Sequence, residues 1–385
     1  MAMHQRWTLH VERFARFQQA DIELRPLTLF VGENNSGKSY MATLLWGVLA
    51  LGRTLFPAGA PSTKAYENCQ ECLMKLVHGA VGKLYDSARQ PEVALTNADQ
   101  QCFIDWFNEL LQQNRNKLAA RLFGSDTITI GRLSLEDYQR HKPLRIKLEA
   151  SSTPGRMSAR AEHIIRLPLL EEEHWLRGPD LYRAVCMITW KLVAGEISAP
   201  LFGPRSATRR SDGEPLFLPA SRTGFMLTYR SLVGDALSLF DAGLDEESST
   251  VSEFTLPVVR FLQALAESGK KRGALHAEQG VWLEQELLKG QVEQSIHGAL
   301  PSYHYVAEGR NSRRLPMYLT SSLVAELTPI VHFLKHKPTY RSIFIEEPEA
   351  HLHPKAQRLM ARALVRLVND GLPIIATTHG DTLFQ

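Results

Sequence analysis

Gly32-Glu33-Asn34-Asn35-Ser36-Gly37-Lys38-Ser39 fills every position of the pattern G-x-x-x-x-G-K-[ST], and each residue type in it suits the handling of phosphate. Gly32 and Gly37 have no Cβ, so the backbone can take left-handed turns and come close to a triphosphate. The amides of Asn34, Asn35 and Ser36, and those onward to Tyr40, then face phosphate oxygens, helped by the positive end of the following helix. Lys38 would reach the β- and γ-phosphates, and the Ser39 hydroxyl would ligate Mg²⁺. A chance glycine-rich turn has the same letters but lacks the flanks described below. The pattern points to a nucleoside triphosphate with Mg²⁺.

A second group of reactive side chains stands near the other end of the chain. Ser342-Ile343-Phe344-Ile345-Glu346-Glu347-Pro348-Glu349 is an apolar run ending in carboxylates. Such a run reads as a strand buried on both faces, and ligands gather at the carboxyl ends of such strands. Glu346 is the expected Mg²⁺ carboxylate beside Ser39, and Glu347 the group that orients and polarises an attacking water. Leu372 to Thr378 is the next strand, and His379 at its end can reach a γ-phosphate. Lys38, Glu347 and His379 are thus the expected catalytic set. Phosphoryl transfer to water asks for positioned charge and an in-line water more than for covalent chemistry. Leu216 to Arg222 reads as a short strand running into a polar turn, and Arg222 there reads either as a phosphate or partner contact or as a surface ion pair.

These groups need elements to hold them. Leu27–Val31 is a short β-prone run and Tyr40–Leu51 a helix, the strand-loop-helix order the glycine pattern requires. Before them, the stretch from Trp7 to Phe17 and the triplet Ile22-Glu23-Leu24 predict a small antiparallel sheet ahead of a parallel one. Phe14 and Phe17 could stack on a purine or fill a core. Residues 65–85, 99–122, 179–193, 230–240, 251–268 and 280–288 read as helices. Thr127–Ile130 and Leu144–Leu148 read as strands paired with each other, and Ile164–Leu170, Tyr303–Val306 and Leu315–Leu319 as further strands. Pro354 opens a helix that Asn369-Asp370-Gly371 closes. The expected organisation is an N-terminal part of the nucleotide-binding domain at 1–59 and its C-terminal part at 301–385. Between them, 60–300 is a mainly helical, mixed insertion that lends some strands to the head.

Bulk properties narrow the classes. The 44 basic and 41 acidic residues nearly balance, so nucleic acid would be met by local patches and not by the whole surface. No apolar run is long enough to span a membrane, and no signal peptide is evident, so a cytoplasmic protein without a membrane partner is expected. Four cysteines in 385 residues do not make a disulfide framework. Cys69-Gln70-Glu71-Cys72 has metal-site spacing, but no second pair follows, and i, i+3 cysteines simply share a helix face.

Gly32 to Ser39, Glu346-Glu347-Pro348-Glu349-Ala350-His351-Leu352-His353-Pro354 and Thr377-Thr378-His379 together resemble an ATP-binding-cassette ATPase. The similarity is to the soluble branch with the SMC, RecF and OLD-type ATPases, over roughly residues 1–55 and 310–385. It implies an α/β head with a mixed sheet, interrupted by the insertion, and a head-to-tail dimer or higher oligomer around two ATP molecules. It also implies that Glu347 is the catalytic carboxylate, His379 the switch histidine, and Ala350 to His353 the loop crossing the dimer. The branch's serine-glycine motif falls at Thr320-Ser321-Ser322-Leu323, where Ser321 and Ser322 can meet a partner's phosphate. Leu323 stands where the branch usually has glycine. Gln90 and Gln101 are both candidates for the family's glutamine loop.

Similar stand-alone ATPases belong to bacterial anti-phage systems that hold a separate nuclease or toxin. The chain ends six residues after His379, so an effector is expected as a separate protein. Arg205, Arg209, Arg210, Arg310, Arg313 and Arg314 could meet that partner or DNA, or could be solvated singly. Leu323 keeps open a nucleotide-gated scaffold with little turnover. A transporter's nucleotide-binding subunit is disfavoured by the long insertion and by the wording around Glu347.

Overall fold

Four parallel strands form the middle of the computed structural model, with elements numbered here in chain order. They run β3 (Leu27–Val31), β14 (Ile374–Thr378), β13 (Ile343–Glu346) and β9 (Leu216–Leu218), side by side. The structure describes residues 5–84, 92–151, 158–161, 163–170, 178–195, 197–201, 213–240, 254–267, 274–296, 300–309, 313–336 and 340–380. Successive residues of these strands face two different cores. Leu216, Leu218, Ile343, Ile345, Ile374 and Ala376 enter one, while Phe217, Phe344 and Ile375 enter the other. Covering both faces is what makes β9 and the apolar part of β13 hydrophobic runs in sequence, while the edge strand β3 stays half exposed.

One core is built by α1 (Lys38–Leu51), α2 (Lys64–Leu84), α3 (Asn97–Phe123), α4 (Pro179–Ala194) and an antiparallel sheet. That sheet is β2 (Phe17–Glu23), β1 (Gln5–Phe14) and β5 (Arg132–Arg140), with Trp7, Leu9, Val11, Leu133 and Leu135 turned inward. Helix α1 is buried from Met41 to Leu51 and is therefore apolar all round. Helix α3 starts at a capping box, Thr96 with Asp99, and stops at Gly124 in the left-handed region at φ 64°. A separate sheet of β4 (Glu92–Ala94), β6 (Arg145–Ser151), β8 (Ile164–Leu170) and β7 (Ser158–Ala161) lies in the same stretch.

The other core gathers α5 (Arg222–Phe240), α6 (Leu256–Ala266), α7 (Ala277–Leu283), α8 (Ser322–His336) and α9 (Pro354–Asn369). The antiparallel ribbon β10 (Gly290–Ile296), β11 (Pro301–Ala307) and β12 (Arg314–Pro316) completes it. Two strands from 60–300, β5 and β9, join sheets formed otherwise by the chain's two ends. No helix among the described residues is long and apolar enough to cross a membrane.

Several local expectations need correction. Thr127–Ile130 is not a strand: α3 side chains take its ladder groups, with Asn116 accepting from the Ile130 amide and Arg115 donating to its carbonyl. The real strand, β5, has one solvent face and so carries few apolar letters; it pairs with β1, while β6 pairs with β8 and β4. The 315–319 strand stops at Pro316, because the amide and hydroxyl of Thr320 both fold back to the Met317 carbonyl. The 280–288 helix is α-helical only to Leu283 and then widens into a π-turn over Glu284–Leu288.

Candidate functional site

The register of the parallel sheet brings the two chain ends together. Val31 is level with Thr378, and Thr377 with Glu346, so the residues following β3, β13 and β14 leave the sheet at one edge. Gly37, the first of the site residues to be fixed by sterics, has φ 97°, and a Cβ there would lie 2.5 Å from the Phe17 ring. Only glycine meets both demands. Asn35 also takes a left-handed φ of 60°, a conformation asparagine tolerates.

Lys38 is nearly buried and donates to the carbonyls of Gly32 and Glu33, each at 2.7 Å. Its Nζ also lies 3.4 Å from the Ser36 hydroxyl and 3.1 Å from His379 Nδ1. An ammonium can only donate, so Nδ1 accepts and the imidazole proton is assigned to Nε2. That nitrogen then donates to Glu347 Oε1 at 2.7 Å. The three expected catalytic side chains therefore form one hydrogen-bonded chain.

Glu347 itself has φ 43°, a strained value for a non-glycine residue of the kind that needs its surroundings to hold it. Its amide donates to Thr377 at 2.8 Å and its carbonyl accepts from Arg222 Nη2 at 2.9 Å. Glu349 ties the next strand to the same turn, accepting from the Thr378 hydroxyl and, at 3.0 Å, from the His379 amide. Its role had no signal in sequence beyond the carboxylate run.

Glu346 accepts from the Ala220 amide at 3.3 Å and is hydrogen-bonded to Ser39. Burial pushes its carboxyl above the ordinary range, against the pull of the Ser39 and Ala220 bonds. Ser39 and Glu346 offer hard oxygen donors, the kind Mg²⁺ takes. No group of three or more His, Cys, Asp or Glu suited to a metal occurs among the described residues. An ion at this pair would complete its shell with phosphate and water, as Mg²⁺ at nucleotides does.

The remaining candidates fall as follows. Tyr40 is exposed and stacks on Phe123, centroids 5.0 Å apart, with Phe14 edge-on at 6.2 Å. Phe14 is buried core, and Phe17 lies against Gly37. Ser321 caps α8, its hydroxyl accepting from the Val324 amide at 3.4 Å, and Ser322 is exposed at the first turn. Leu323 is half-buried against the second core. His351 has φ 59°, and His353 caps α9.

Arg222 is neither a phosphate contact nor a surface ion pair. It is wholly buried and paired with the equally buried Glu326 of α8. Gln101 bonds Asp105 along α3, and Gln90 lies outside the described residues, as do Arg205, Arg209, Arg210 and Arg310. Arg313 is exposed, and Arg314 pairs with Glu293 at 3.3 Å. Cys69 donates to the Cys102 carbonyl and Cys72 to Asp99, and burial pushes the Cys72 thiol up to about 12. No group of three or more His, Cys, Asp or Glu that could hold a metal surrounds them among the described residues.

A glycine loop on a parallel sheet, its lysine joined to a strand-end carboxylate through a histidine, defines the class of phosphate-loop nucleoside triphosphatases. Residues 262–383 match the family model described as AAA ATPase domain. Taken with the glycine loop and the strand-end carboxylates, this match reads the protein as an ATPase. The matched stretch begins in α6 and takes in Glu347 and His379, while the glycine loop lies before it and meets it through β3 and β14.

No curated protein matches the sequence. Among solved structures, the chain is similar to an SMC head bound to the C-terminal winged-helix domain of ScpA, at 11% identity and TM-score 0.38, covering 98% of this chain and 90% of that one. An SMC head with an extended coiled coil bound to the C-terminal domain of ScpA, from Pyrococcus furiosus, gives 13% identity and TM-score 0.33, covering 98% and 91%. Superpositions this loose do not bear on function.

Proposed function

We propose that Gly32–Ser39 binds the triphosphate of ATP and that Glu347 and His379 direct a water at its γ-phosphate. On this reading Lys38 exchanges the Gly32 and Glu33 carbonyls for β- and γ-phosphate oxygens, which are better partners for an ammonium. Ser39 and Glu346 would hold Mg²⁺, which would supply positive charge to offset that of the phosphates. Glu347 accepts a hydrogen bond from the attacking water, and His379, donating from Nε2, keeps the carboxylate turned toward it. The observation that carries this is the Lys38–His379–Glu347 chain, formed by residues 341 and 32 positions apart.

Two copies would close head-to-tail around two ATP molecules, each offering Ser321, Ser322 and the α8 N-terminus to the other's γ-phosphate. Such a nucleotide-dependent contact suits control of a separate effector, a nuclease or toxin, or of DNA, as in anti-phage defence. A nucleotide-gated scaffold with little turnover is the second reading. It is favoured by Leu323, whose side chain keeps the α8 backbone farther from a partner's phosphate than glycine would.

The test is phosphate release from ATP with Mg²⁺, alongside binding of a fluorescent ATP analogue, for the native chain and Lys38→Ala. Binding and release by the native chain, with both lost in Lys38→Ala, is expected. Binding without release selects the scaffold, and no binding by the native chain ends the proposal. Light scattering with and without ATP, with the partner or DNA added, reads the assembly.

A further inference from the structure

Arg222 was the one charged residue near the site whose place ran against expectation, and its contacts give it work. Its Nη1 donates to the carbonyls of Pro219 at 2.9 Å and Glu346 at 2.5 Å, and its Nη2 to the carbonyl of Glu347 at 2.9 Å. The same Nη2 pairs with Glu326 Oε1. The other Glu326 oxygen accepts from the amide of Thr223 at 3.0 Å and from its hydroxyl at 2.7 Å. That hydroxyl also lies 3.4 Å from the Ser322 carbonyl in the first turn of α8. One guanidinium thus joins the ends of β9 and β13 to the helix that begins with Ser322.

A pair this deeply buried is not explained by stability, since two well-packed apolar side chains would hold the fold as well. What an apolar pair cannot do is bond the Glu346 and Glu347 carbonyls. Glu347 needs that bond, because its left-handed backbone at φ 43° persists only if the surroundings fix it. The planar fork of arginine reaches both carbonyls and the carboxylate at once, whereas lysine is a point donor.

We infer that Arg222 is a positioning residue. It locks the Glu347 peptide so that its carboxylate stands against His379, and through Glu326 it makes that position depend on the phosphate-facing end of α8. This rests on the reading of Glu347 as the group that directs water.

The experiment compares the native chain with Arg222→Lys and with the double variant Arg222→Met/Glu326→Leu, which removes both buried charges together. Thermal melting establishes that each is folded, and a fluorescent ATP analogue that each binds nucleotide. Expected are native-like affinity and KM, a kcat lower by about 10²-fold from misplaced geometry, and faster hydrogen exchange in the 343–352 segment of nucleotide-free protein. Wild-type kcat and wild-type exchange in either folded variant would overturn the inference. If the native chain binds ATP without hydrolysing it, the hydrolytic reading fails alone. The exchange measurement then still decides whether Arg222 holds the Glu347 turn. Should the double variant fail to fold, Arg222→Lys, which keeps the charge opposite Glu326, carries the same comparison.

Discussion

His379 stands between Lys38 and Glu347, its Nδ1 3.1 Å from the ammonium and its Nε2 2.7 Å from the carboxylate. Because the lysine supplies only donors, the imidazole in this arrangement is neutral with its proton on Nε2. A residue without a ring acceptor and donor breaks both links. His379→Ala should lower kcat for phosphate release by about 10²–10⁴-fold, with analogue affinity changed far less. An affinity loss as large as the rate loss would assign His379 to binding alone.

Glu347→Gln keeps an oxygen for His379 Nε2 but loses the charge that draws a proton from water. The expected result is a kcat lower by about 10²–10⁴-fold with little change in KM. ATP should then hold the assembly longer than in the native chain, as seen by light scattering over time. Unchanged turnover would remove Glu347 from the mechanism.

How far the sequence led is clearest at these residues. The glycine loop, β13 with its carboxylates, and β14 with His379 were legible because each is a short local pattern at the end of a parallel strand, and β13 and β14 are buried on both faces. That Ser39 and Glu346 lie together followed from the same strand-end logic. Arg222 was misread because an arginine after a strand says nothing about a glutamate 104 positions later, and burial of a charge is a tertiary fact. Strand β5 was missed because its outward residues, Arg132, Glu136 and Gln139, mask the inward Leu133 and Leu135. The adjacent Thr127–Ile130 had the alternation of a strand, but its backbone is taken by α3 side chains. The pairing of Glu349 with Thr378 and His379 depends on the turn at Glu347, whose left-handed backbone no residue type announces.

The glycine loop offers a steric test. At Gly37 an alanine meets two penalties, the left-handed φ of 97° and the Phe17 ring 2.5 Å from its Cβ. The backbone term alone is worth about 1–2 kcal/mol. Gly37→Ala should lose analogue binding while the melting temperature falls only slightly, since the loop is surface structure. Adding Phe17→Ala relieves the ring clash but not the backbone strain, so binding should return only in part. Full recovery in the double variant would mean that the ring, and not φ, requires the glycine.

Stability should depend on pH through His10, which is 6% exposed on β1. Its Nδ1 meets Asp21 at 2.6 Å and its Nε2 meets Glu12 at 3.1 Å. Burial alone would lower its pKa, but the bonds to Asp21 and Glu12, with Glu136 nearby, outweigh that and raise it above 6.5. The imidazolium donates from both nitrogens, whereas the neutral ring donates from one and leaves a carboxylate facing a lone pair. A folded-state pKa above the unfolded one means the charged form is favoured by folding. Its contribution is therefore complete below the unfolded value and is lost as pH rises through the folded one. The melting difference between the native chain and His10→Gln should be largest near about pH 6 and shrink toward about pH 9. Melting curves across that range check it, and a difference that grows with pH would show that the ring is held neutral between the two carboxylates.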